Sequence, residues 1–69
     1  MADEDILHAL EFPIRHYALD DHEVLVIGPD RHGGLLEVVL VDPEGDARVI
    51  HAMPLRRRFV RFLEGKDKP

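Results

Sequence analysis

A chain of 69 residues, 45% of them hydrophobic and 33% charged, suffices for one small domain and leaves nothing for a second core. It contains no cysteine, which excludes disulfides, thiolate zinc centres and a cysteine nucleophile. The longest apolar stretch is broken by Glu37 and falls far short of the roughly 20 residues that a membrane helix needs.

The formal net charge of −5 conceals a division, with residues 1–46 summing to −10 and residues 47–69 to +5. That asymmetry places a basic patch on an acidic body, which suits an anionic partner; it equally suits complementary faces within one fold. The first residues, Met1-Ala2-Asp3-Glu4-Asp5, are acidic where a secretory leader is basic, so a cytoplasmic protein is expected.

In chain order, Asp3 is the expected N-cap of a short helix over 3–12, with Glu4 and Asp5 in its first turn. Ile6, Ala9 and Leu10 recur at helical spacing, and Pro13 stops the run. From residue 14 to residue 53 the pattern is that of short strands separated by turns. Ile14–Leu19 leads through Asp20-Asp21 into Val24–Ile27, whose β-branched residues favour a pleated surface.

Gly28 to Gly34 reads as a loop. Leu35–Val41 is nearly all apolar and is expected to lie centrally, with both faces at least partly covered. A turn over Asp42–Asp46 precedes a last strand, Arg48–Met53. Connections this short join antiparallel neighbours and predict a meander of three to four strands.

Pro54 suits the first turn of a closing helix over 54–64. There Leu55, Phe59, Phe62 and Leu63 form an apolar stripe and Arg56, Arg57, Arg58 and Arg61 cover the rest. Gly65 reads as a C-cap region and 66–69 as a frayed tail. The expected class is α+β in one domain: a short N-terminal helix, an antiparallel sheet and an arginine-rich C-terminal helix.

Candidate chemistry concentrates between Val49 and Arg58. Strand alternation places Val49 and His51 on one face, Ile50 and Ala52 on the other, and projects His51 near the start of the closing helix. Arginines beside a helix start make an anion site. Cleavage of RNA needs a group to move the 2′-hydroxyl proton and a cation for the charged transition state. His51 suits the first role and Arg56 or Arg57 the second, with Arg57, Arg58, Arg61 and the loop residue Arg31 as nucleic-acid contacts. The same residues also fit a half-buried hydrogen-bonding histidine beside a solvated helix.

His8, His16, His22 and His32 pair with one another at no metal-ligand spacing, so no metal is expected. The Gly28–Gly34 loop lacks a following Lys-Ser/Thr and a following helix, which excludes a phosphate loop, and no cofactor is expected. Phe59 and Phe62 fit a core stripe better than a base platform.

The run Val24-Leu25-Val26-Ile27-Gly28, the Arg31/Gly33 turn, Leu35-Leu36-Glu37-Val38-Val39, the Gly45-Asp46 turn and Arg48-Val49-Ile50-His51-Ala52 before an arginine-rich segment together resemble the BrnT-like toxins. These belong to the RelE/ParE group of type II toxin–antitoxin systems. The resemblance covers roughly residues 3–64. It implies a bacterial cytoplasmic toxin that acts as a ribonuclease and is neutralised by a cognate antitoxin; from the residues themselves, a metal-independent reaction and no membrane partner are expected.

Two departures stand out. His51-Ala52-Met53 occupies the place where the family tends to read Ser-Ala-Arg, and the segment that precedes the first helix in that family is short here. Such shortening leaves sheet surface to cover, which predicts a homodimer or hetero-complex. The competing expectation is a non-catalytic dimerising or protein-interaction module, including a degenerate toxin.

Overall fold

The structure, a computed structural model, describes residues 1–64. One regular helix, α1 (Asp3–Glu11), is followed by four strands: β1 (Arg15–Ala18), β2 (Glu23–Pro29), β3 (Leu35–Val41) and β4 (Arg48–Pro54). The sheet order is β1-β2-β3-β4 with every neighbour antiparallel, the expected meander. Among the described residues no helix is long and apolar enough to cross a membrane.

Side-chain alternation sorts the two central strands into two faces. Val24, Val26, Leu36, Val38 and Leu40 form, with Ala52 of β4, the floor on which Ile6, Ala9 and Leu10 of α1 pack. Ala9 and Val38 are wholly buried. The helix comes so close that a Cβ on Gly28 would lie 2.3 Å from the Ala9 carbonyl oxygen, so that strand position requires glycine. A second tie fixes the helix along its length: His8 Nδ1 lies 2.8 Å from the Pro29 carbonyl. A carbonyl only accepts, so Nδ1 carries the proton there.

Asp3 is not the N-cap. That position is Ala2, without a side-chain cap, and the first-turn acids act on the helix dipole instead. Asp5 accepts from the Arg31 backbone N–H at 3.0 Å and from Arg31 Nε at 2.9 Å, which binds the β2–β3 loop to α1. Both hydrogen bonds from Arg31 hold the Asp5 carboxyl below its usual range.

The turns follow their aspartates. Asp20 Oδ1 accepts from the backbone of His22 and Glu23 at 2.7 and 2.8 Å. Asp30 Oδ1 takes His32 and Gly34 at 2.8 and 2.9 Å. In each case the carboxylate replaces a carbonyl in a local turn.

Two expectations fail around β4. The register shifts between Val39 and Leu40, so that His51 opposes Val39 while Val49 opposes Leu40. This bulge leaves Ile50 unpaired and 55% exposed. It also places Val49 and His51 on opposite faces of the sheet, where uninterrupted alternation predicted one.

The closing helix does not begin at Pro54, which ends β4 opposite Leu36. The Leu55 N–H still donates to the Leu35 carbonyl at 2.9 Å, and Arg56 is extended, with φ −80° and ψ 148°. A 3₁₀ turn, Arg57–Phe59, and one short helical turn, Val60–Glu64, follow. The Phe62 side chain, Gly65 and the tail 66–69 lie outside the described residues.

Candidate functional site

The centre of the second sheet face is a carboxylate. Glu37 sits mid-way along β3 between Leu36 and Val38, whose side chains go under α1, and therefore projects to the opposite side. It is 1% exposed, opposite Ile27 on one neighbour and Met53 on the other. A charge so placed is tolerated only when paired and fully hydrogen-bonded.

Glu37 meets both conditions. Its Oε2 accepts from the Arg56 backbone N–H at 2.9 Å. Its Oε1 takes Arg56 Nε at 3.0 Å, Arg56 Nη2 at 2.7 Å and His51 Nε2 at 3.0 Å. No buried side-chain polar atom among the described residues lacks a partner.

This cluster explains the failed helix. Glu37 binds Arg56 through both backbone and guanidinium, and the backbone bond holds residue 56 extended where a helix from Pro54 would need it coiled. Burial pushes the Glu37 carboxyl up, but the Arg56 side-chain and backbone hydrogen bonds and the His51 contact outweigh it, so its pKa lies below the ordinary value of 4.5. Glu37 is therefore an anion at neutral pH and can only accept. It follows that His51 Nε2 carries the proton in this contact, and that in the neutral ring Nδ1 is the lone-pair nitrogen. Nδ1 has no hydrogen-bond partner among the described residues, and the His51 side chain is 35% exposed.

A Glu37 pKa below the unfolded value gives a stability contribution that is present above pH 4.5 and lost as pH falls through the folded pKa. Glu37→Gln is expected to cost about 2 kcal/mol at neutral pH, the scale of hydrogen bonds to a charged group. It should also flatten the acid limb, so that the two proteins converge as pH falls from 4.5 through the folded pKa of Glu37. Urea unfolding at a series of pH values checks both; a constant difference between the two proteins down to strongly acidic pH would contradict the linkage.

Beside the cluster opens a cavity of about 280 Å³ lined by Leu19, Leu25, Glu37, Val39, His51, Arg56 and Phe59. The guanidiniums of Arg56 and Arg58 both lie over the Phe59 ring, each 5.0 Å from its centroid. Arg57, Arg58 and Arg61 are exposed, and among the described residues Arg57 and Arg58 have no carboxylate within ion-pair distance.

The structure thus brings His51 and Arg56 together, on Glu37, with Arg57 and Arg58 nearby. It sets Arg31 apart, at the α1 side and paired with Asp5. Glu37 is not among the candidates that residue chemistry alone marks. Its signal was present: one carboxylate within Leu35–Val41, a strand expected to be at least partly covered on both faces, demands cationic partners. Among the described residues no group of three or more His, Cys, Asp or Glu side chains is gathered as in a metal site. Compared with protein-family models, curated proteins and solved structures, the chain matches none.

Proposed function

We propose that this chain is a BrnT-like toxin of the RelE/ParE group, a ribonuclease that acts on single-stranded RNA in the cytoplasm and is held by a cognate antitoxin. The observation that carries the reading is the Glu37–His51 contact, which leaves a lone-pair nitrogen on the strand that leads into Arg57 and Arg58, two arginines with no carboxylate partner among the described residues. In this reading His51 Nδ1 takes the proton of a ribose 2′-hydroxyl. The 2′-oxygen forms a bond to the adjacent phosphorus, and the 5′-oxygen of the next nucleotide leaves and takes up a proton. The products are a 2′,3′-cyclic phosphate and a 5′-hydroxyl.

Glu37 fixes the tautomer and orientation of the ring, the part a buried carboxylate plays behind a catalytic histidine elsewhere. Arg56, committed to Glu37, positions that carboxylate; Arg57 and Arg58 supply charge to the phosphate.

Growth after induced expression tests the reading. Arrest is expected with the wild type and none with His51→Ala, provided that both accumulate as folded protein. A specific feature favours one other outcome. Among the described residues nothing pairs with the outer edge of β4, which is seven residues long and has Val49 and Ile50 at 40% and 55% exposure, the kind of edge that recruits another strand. Absence of arrest with folded wild type would shift the reading to a non-catalytic interaction module built on that edge.

A further inference from the structure

We propose that the cavity beside His51 is a slot for one unstacked nucleobase, so that single-stranded RNA is held through a base face as well as through its phosphates; this rests on the ribonuclease reading above. Leu19, Leu25, Val39 and Phe59 supply apolar walls, and the polar groups of the lining, Glu37, Arg56 and His51, bond one another. An occupant therefore finds few free donors or acceptors inside. A phosphate placed inside would be desolvated without compensation, and a ribose would find there only the His51 Nδ1 that its 2′-hydroxyl meets. A base can present its face to the walls and keep its polar edge in water.

The surroundings favour a polyanion over an apolar protein side chain. Arg58 lies over the Phe59 ring that walls the slot, and with Arg57 it offers guanidiniums that no carboxylate among the described residues neutralises. An aromatic wall beside cations that follow the backbone is the arrangement by which single strands are bound with little regard to sequence. A paired duplex keeps its base faces stacked and cannot fill the slot. The inferred specificity is thus for strandedness, with weak preference among bases.

Binding of 2′-O-methyl oligouridine, which cannot form the cyclic product, is compared with binding of an abasic 2′-O-methyl backbone of equal length and charge. Fluorescence anisotropy on the full chain at one low salt concentration is the readout. The wild type should bind the base-bearing strand about tenfold or more tightly than the abasic one, the scale of one stacked base. Val39→Met, which fills the slot from one of its apolar walls, should abolish that difference.

Equal affinity of the wild type for both strands would overturn the slot while leaving phosphate binding, and the ribonuclease reading, in place. No binding of either strand would overturn both. The wild-type comparison stands whether or not Val39→Met folds.

Discussion

His51→Ala should lower the rate of RNA cleavage by about a hundredfold or more, the usual worth of a positioned general base. The substitution removes the one imidazole that β4 places against the buried carboxylate. It should spare the fold, because Arg56 still satisfies both oxygens of Glu37. Glu37→Gln should act more mildly on cleavage and visibly on stability, since an amide can accept from a protonated Nε2 through its oxygen or donate to an unprotonated Nε2 through its nitrogen, and no longer dictates the tautomer. Initial rates on a short single-stranded RNA, with folding checked by unfolding curves, separate the two effects. Equal rates for wild type and His51→Ala would remove the histidine from the chemistry.

The second large effect lies on the other face of the sheet. Gly28→Ala is expected to destabilise the domain by about 3 kcal/mol, the upper part of the range for overpacking a filled interior. The added methyl would meet the Ala9 carbonyl oxygen at 2.3 Å, and that atom belongs to helix backbone, which cannot swing aside as a side chain could. Relief requires α1 to lift from β2, which exposes Val26 and Val38 beneath it. The measurement is the urea midpoint with its slope. By contrast, Gly45→Ala places its methyl where no other atom lies within 4 Å and should leave the midpoint nearly unchanged.

The strands were legible because their signals are local. Leu35–Val41 reads as a strand at least partly covered on both sides, and it is one of the two central strands. Short polar turns at Asp20 and Asp42 fold each strand back on its predecessor. Three features were hidden for a common reason, namely that each depends on partners distant in sequence. The bulge at Ile50 is set by pairing of β4 against β3, and alternation alone puts Val49 on the wrong face.

The extended backbone of Arg56 depends on a carboxylate 19 residues earlier, and it overrides a helical pattern that Pro54 and the apolar stripe supported. Gly28 has the composition of a loop and the role of a contact point for α1. His51 and Arg56 were found through residue chemistry, as a proton acceptor near cations, whereas Glu37 looked like an interruption in an apolar run. Its role follows from burial, which a sequence expresses only through the strand around it.

The most direct test of the account is end-group analysis of RNA incubated with the purified full chain in the presence of a chelator. A base that deprotonates the neighbouring 2′-hydroxyl predicts 2′,3′-cyclic phosphate and 5′-hydroxyl ends, formed by the wild type and lost with His51→Ala. Intact RNA with folded wild type, or 5′-phosphate and 3′-hydroxyl ends, which arise when water attacks the phosphorus, would contradict it.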